Sequence, residues 1–411
     1  MTDLRQLLSD IGDRAGHYDV TERALTVSRR NRQRRTAVGT TAAALTVVAV
    51  AGWSLWPGGG SGAGPGVNPA ASASPSPSAA AAPALPASCR VDRLPLPDGL
   101  TSGAANAVDP TGRYVIGSAG VDGSAIKEHL LLWDGDEVRR LKLTGQHQRL
   151  RAVNSAGTVL AATVLNQREQ SVWVYRDGKF TRLQGGEADA VDMNESGVVI
   201  GTEIIRGRNG KDGSAHPVRW RTPTSLMERL PLPPGDWPGG VTVSGIDDDG
   251  TIIMNASRGR EAWHAFALRP DGTWQTLTAS VTVDGLTAAA PQAVAIRGGW
   301  VTGVARLPQI APSTQSRLVD VLWNLRTGEV GVLPRGGIAA VVNAHGWTVS
   351  WLGGPRLNSA TGAQLTLPAA PEQTADFPTY LSGLSDDGRV LIGLQQLNYD
   401  PDLVPLRWRC S

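Results

Sequence analysis

Ala-Val-Asp-Met-Asn-Glu-Ser-Gly-Val-Val-Ile-Gly, residues 190–201, decides the fold because the chain contains it in three further versions. Ala-Val-Asp-Pro-Thr-Gly-Arg-Tyr-Val-Ile-Gly stands at 107–117, Ala-Val-Asn-Ser-Ala-Gly-Thr-Val-Leu at 152–160, and Leu-Ser-Asp-Asp-Gly-Arg-Val-Leu-Ile-Gly at 384–393. Each version is a short apolar run, a polar turn ending in glycine, and a second apolar run. A motif of this kind that returns about every forty residues is the mark of a β-propeller.

Outward from the quoted stretch, each copy reads as strand, glycine turn, strand, loop, strand with a bulky residue, turn, strand. The first-turn glycines are Gly112, Gly157, Gly197, Gly250, Gly298 or Gly299, Gly346 and Gly388. Glycine supplies the positive φ that a tight hairpin needs. The bulky third-strand residues are Trp133, Tyr175, Trp220, Leu268, Trp323, Leu357 and Trp408. A fourth strand ends on Leu141, Leu183, Leu230, Leu277, Leu333 and Leu367. Four short strands make one blade, so the spacing predicts an all-β propeller of seven blades, with six as the alternative.

The seventh copy stops at Ser411, before a fourth strand. In copy three, Pro-Val-Arg-Trp-Arg at 217–221 is followed by Glu-Arg-Leu-Pro-Leu-Pro at 228–233, and that tail returns as Asp-Arg-Leu-Pro-Leu-Pro at 92–97. The segment at 90–97 is therefore expected to complete the last blade, hiding the two edges of an open array. The chain has two cysteines, Cys89 and Cys410, one on each of these segments. Outside a membrane such pairs persist as disulfides, and we expect this one. The chain-entropy argument gives it roughly 5 kcal/mol as an upper figure.

Residues 88–411 resemble the extracellular HAF-type repeats and, more loosely, the WD-repeat propellers of membrane-anchored actinobacterial proteins. The resemblance is clearest in copies one to three and seven. Copy five departs from it, with Arg297 before Gly298, and copy six lacks a third-strand tryptophan. The resemblance implies a propeller at the cell surface and carries no shared activity.

Ahead of the propeller, no charged residue occurs between Arg35 and Arg90. Residues 36–56 are uncharged and largely apolar, and a helix of that length spans about 30 Å, the thickness of a hydrocarbon core. Arg29, Arg30, Arg32, Arg34 and Arg35 precede it, which places the N-terminus in the cytoplasm. We read 36–56 as an uncleaved signal anchor; the alternative is a cleaved signal peptide ending at Ala49-Val50-Ala51. Residues 57–87 are Gly, Pro, Ala and Ser in the main, the composition of an extended tether. Residues 1–35 read as a short cytoplasmic helical segment with Leu4, Leu7, Leu8 and Ile11 at helical spacing.

The chemistry is less legible. Net charge is +2 over 411 residues, too balanced for a nucleic-acid partner. There is no nucleophile elbow, phosphate loop, dinucleotide fingerprint or zincin helix, and no cofactor is expected. Asp247-Asp248-Asp249-Gly250 does not follow calcium-loop spacing and reads as a hairpin turn. His129, His147, His216, His264 and His345 never pair at metal-ligand spacing within one element. Asp271-Gly272-Thr273-Trp274 resembles part of a sialidase aspartate box but lacks the residue between Asp and Gly. The candidate ligand face is therefore the irregular remainder: Trp237, Trp300, Trp347 and Trp351 in or near the connections of the divergent copies, and Arg206, Arg208 and Lys211 in a basic insertion of copy three. The expectation is a non-catalytic binding module for a cell-wall polymer or protein. The alternatives are an extracytoplasmic glycan hydrolase or lyase, whose carboxylates would come from different blades, and a sensor signalling through residues 1–35. The sequence sets no oligomeric state.

Overall fold

The computed structural model describes residues 83–121, 129–165, 169–206, 212–259, 263–309, 317–334, 337–352, 354–370, 379–397 and 402–411. The segments expected as cytoplasmic helix and signal anchor, and most of the expected tether, lie outside the described residues. Among the described residues no helix is long and apolar enough to cross a membrane.

Seven four-stranded antiparallel sheets follow one another along the chain, with one small extra hairpin at Thr282–Val283 and Leu286–Thr287. Blades 1 to 6 begin at Ser102, Gln146, Ala188, Val241, Ala289 and Gly337. Blade 7 is built from Thr379–Leu384, Val390–Gln396, Leu403–Cys410 and, as its outer strand, Cys89–Arg93. The N-terminal strand therefore closes the ring, with Cys89 opposite Cys410, and those two residues are disulfide-bonded. The count is seven, and the closing segment is the one that the repeated tail marks.

In an antiparallel blade the first-to-second and third-to-fourth connections fall at one end of the propeller, here the turn end. The second-to-third connections and the links between blades fall at the other, here the loop end.

The Val-Ile-Gly of the repeat has a specific cause. The first strand carries a bulge against the second, between Ala105 and Ala107 in blade 1 and between Ala190 and Asp192 in blade 3. There the first-strand carbonyl of Ala104 or Asp189 presses on Gly117 or Gly201, and a Cβ on either glycine would collide with it. The third-strand tryptophan ring lies over the same glycine.

In blades 1, 3, 5 and 7 that tryptophan also ties the blade to the one before it. The indole N–H of Trp133 donates to the Pro95 carbonyl at 2.7 Å, Trp220 to Gln184 at 2.8 Å, Trp323 to Thr278 at 2.5 Å and Trp408 to Pro368 at 2.9 Å. Each acceptor directly follows a buried leucine at the close of the preceding blade's outer strand. Buried indoles combine large apolar area with a satisfied donor.

Buried apolar clusters fill six of the seven seams between neighbouring blades. Examples are Leu160, Ala190 and Trp220 between blades 2 and 3, and Ile253, Val321 and Trp323 between blades 4 and 5. Among the described residues the seam between blades 5 and 6 has no such cluster.

Candidate functional site

The turn end is stitched from blade to blade by the polar residue three before each turn glycine. Asp109, Asn154, Asn194, Asp247, Asn343 and Ser385 are all buried. Their side-chain oxygens accept from backbone N–H groups of their own turns, as Asn343 Oδ1 does from Trp347 at 2.9 Å. The asparagines also donate to the next blade: Asn154 to the Glu195 carbonyl, Asn194 to that of Asp247, and Asn343 to that of Asp386. Blade 5 has a two-residue turn, Gly298-Gly299, which offers N–H groups instead of a carbonyl. Its neighbour is correspondingly an aspartate, whose Asp247 carboxylate accepts from Gly298 at 2.8 Å and Gly299 at 2.6 Å.

The aspartate run at 247–249 is thus divided among separate tasks. Asp248 accepts from the Glu195 backbone and pairs with Arg297, while Asp249 accepts from the Thr251 backbone. Among the described residues no group of three His, Cys, Asp or Glu side chains is placed to hold a metal.

A cavity follows the propeller axis near the turn end, lined by residues of all seven innermost strands and their turns. Its charged members are Arg151, Asp192, Glu195, Arg297 and Asp386. Arg297 of blade 5 bridges two other blades, pairing with Asp248 of blade 4 at 2.7 Å and with Asp386 of blade 7 at 2.7 Å. Burial alone would lower its pKa, yet the hydrogen bond and charge of Asp386, with the charges of Asp248 and Glu195, raise it above the ordinary arginine value. Arg151, with a side chain 4% exposed, meets Asp189 at 3.3 Å.

The tryptophans of the candidate ligand face divide into two pairs. Trp300 packs on turn glycine Gly346 of the next blade, and Trp347 packs on Gly388 of the blade after that. Tyr114 does the same on Gly157. Trp347 is 2% exposed. These two side chains pack against the neighbouring blade at the turn end.

Trp237 and Trp351 lie at the loop end and are half-buried. Trp237 rests beside His264 and Phe266, with the Arg258 guanidinium 5.0 Å above its ring, and donates to Pro233. Trp351 meets Tyr380 of blade 7 with ring centroids 5.6 Å apart. Arg206 closes the second strand of blade 3 at the same end; Arg208 and Lys211 lie outside the described residues.

The loop end is irregular above blade 6. Its second and third strands have three residues each, Thr348–Ser350 and Arg356–Asn358. Those of blade 5 have eight, and those of blade 7 seven and eight. Sequence reasoning misses this step down. Its one trace there is the copy that lacks a third-strand tryptophan.

No protein-family model matches the sequence, and no curated protein matches it. Among solved structures the chain is similar to TolB from Acinetobacter baumannii, at 11% identity over 77% of this chain and 65% of TolB, with a TM-score of 0.38. It therefore spans just under two thirds of TolB. It is similar also to the β-propeller domain of the trilobed protease from Pyrococcus furiosus, at 11% identity over 66% of this chain and 86% of that one, with a TM-score of 0.43. Polysaccharide lyase Uly1 is matched at 10% identity over 74% of this chain and 90% of the lyase, with a TM-score of 0.44. These likenesses are loose, and the propeller rests on the seven sheets themselves.

Proposed function

We propose that the chain is a single-pass membrane protein whose extracytoplasmic propeller is a non-catalytic binding module for a cell-wall polymer or protein. The observation that supports this most is where the chain joins the ring. Strand Cys89–Arg93 runs antiparallel to Leu403–Cys410, from the turn end toward the loop end. The residues before it therefore arrive at the turn end. Trp237, Trp351 and the irregular connections lie at the other, loop end of the ring, away from this point of entry.

The carboxylates at the axis favour binding over hydrolysis. Asp386 and Asp248 hold Arg297, Asp192 accepts from the Ile246 backbone, and Glu195 accepts from Ser155. Glycoside hydrolysis needs two carboxyl groups opposed across a free gap. The test is fractionation of cells expressing the full-length chain, with external protease and sedimentation on isolated cell walls. The expected result is a membrane-bound protein, shaved from outside, that sediments with walls. A soluble cytoplasmic protein that resists external protease would overturn the reading.

A further inference from the structure

We infer that the pocket between blades 3 and 4 at the turn end binds a small amino carboxylate, with its carboxylate on Arg219 and Arg221 and its ammonium group on Asp249. The site lies apart from the loop end, so it goes beyond the binding-module reading and does not depend on it. The ring contains this arginine pair twice, as Pro-Val-Arg-Trp-Arg at 217–221 in blade 3 and Pro-Leu-Arg-Trp-Arg at 405–409 in blade 7. Both stand in the same register. Arg219 lies between Ile200 and Glu228 of its neighbouring strands, and Arg407 between Ile392 and Asp92. In each case the tryptophan reaches the preceding blade, so the arginines face the following one.

In blade 7 the following blade fills the pair. Asp136 of blade 1 accepts from both Arg407 and Arg409, and the Gly135 carbonyl accepts from Arg407 at 2.7 Å. Both acceptors belong to the turn between the third and fourth strands of blade 1. In blade 3 no such group arrives. The matching turn of blade 4 lines the pocket with Pro270, and its Asp271 carboxylate accepts from the backbone and hydroxyl of Thr273. Arg219 and Arg221 are joined only to Glu228, each through Nε, at 3.0 Å and 2.9 Å. Their terminal nitrogens have no partner among the described residues. The side chains of Arg407 and Arg409 are 4% and 33% exposed, whereas those of Arg219 and Arg221 are 31% and 58% exposed. A pocket of about 250 Å³ lies against the unfilled pair.

The two walls differ in charge. Glu228 offsets one of the two arginine charges, so the blade 3 wall keeps one positive charge and its terminal N–H donors. Guanidinium forks match a carboxylate with parallel hydrogen bonds, and Asp136 is the carboxylate that the twin pair already holds. On the blade 4 wall, Asp248 is taken up by Arg297 and the Glu195 backbone. Asp249 accepts from the Thr251 backbone through Oδ1, and its Oδ2 has no partner among the described residues. A plain anion on the arginines would face that carboxylate across the pocket. A ligand that carries an ammonium group as well as a carboxylate satisfies both walls, since an ammonium is a donor only. Val198 and Pro270 give the pocket apolar sides, which suit a short aliphatic body.

The test is titration calorimetry on the full-length chain with glycine, di-alanine and tri-alanine, which set the two charges progressively further apart. Each is compared with its N-acetylated form, which keeps the carboxylate and loses the cation. At least one free form should bind saturably, and its acetylated form at least tenfold more weakly. Arg221→Gln should lose tenfold or more in affinity for the free form, the size expected for a hydrogen bond between charged groups. Asp249→Asn should bind the free and acetylated forms alike. Both positions are exposed, so neither variant removes a packed side chain. No binding of any free form at millimolar concentration would overturn the proposal. So would equal binding of free and acetylated forms by the wild type, or unchanged affinity in Arg221→Gln.

Discussion

The two faces of blade 5 are made from alternate residues of the same strands, yet they are built to different ends. Toward blade 4 the blade presents Val301, Ala305, Val319, Val321 and Trp323, all within one buried apolar cluster. Toward blade 6 it presents Leu318, Asp320, Leu322 and Thr302, against a neighbour that offers Thr348, Ser350 and Asn358. A strand alternates its side chains between faces, so one sequence serves both demands independently. The first face holds the ring together. The second keeps polar groups buried, and one of its carboxyls lacks a partner.

The difference can be broken from either side. Trp323→Ala removes a buried indole and its bond to Thr278, and should cost about 3–5 kcal/mol of stability in chemical denaturation. On the opposite face, Asp320→Asn should raise stability at pH 7.5 by about 2 kcal/mol, because it removes a desolvated carboxylate. The sign follows from linkage. Folding raises this carboxyl from 3.8 to about 6, so the folded chain binds the proton more tightly and stability falls as pH rises through that interval. Denaturation midpoints at pH 4 and pH 7.5 should therefore converge in the variant, and an unchanged slope would count against the partnerless state of Asp320.

Arg297→Ala tests the turn end of the same blade. It leaves Asp248 and Asp386 without their cation, but both are partly exposed. A loss of about 1–2 kcal/mol is expected, below the range for a fully buried pair. Leu318→Asn should change stability by less than about 0.5 kcal/mol, since the side chain already faces solvent. A larger loss would make Leu318 part of the core and erase the contrast.

Much of this ring is legible in the amino-acid sequence. Turn glycines, recurring leucines and third-strand tryptophans are local signals, and each holds its place in the fold. The closing strand is legible because its sequence repeats an outer strand that follows the expected order. The features that escape sequence reasoning depend on a neighbouring blade. Nothing local separates Trp347, which packs on Gly388, from Trp351, which reaches the loop end four residues later. The choice of Asp247 over asparagine depends on Gly298 and Gly299, some fifty residues onward, and on the two-residue turn they form. The polar seam is hidden for the same reason: Asp320 reads as one more alternating strand residue until the short strands of blade 6 are set beside it.

The disulfide has a mechanical consequence. Chain ahead of Cys89 arrives beside Ser411, and Ala87 donates to the Ser411 carbonyl. Past the hydrogen bonds of Ala87 and Ser88 to Ser411, a pull from the N-terminal side meets the covalent bond to Cys410 before any pairing of the outer strand. Load therefore enters the third strand of blade 7 directly, and the outer strand is spared from being peeled away one hydrogen bond at a time. A ring fastened in this way can be tugged from its attachment point while its seven blades stay in register.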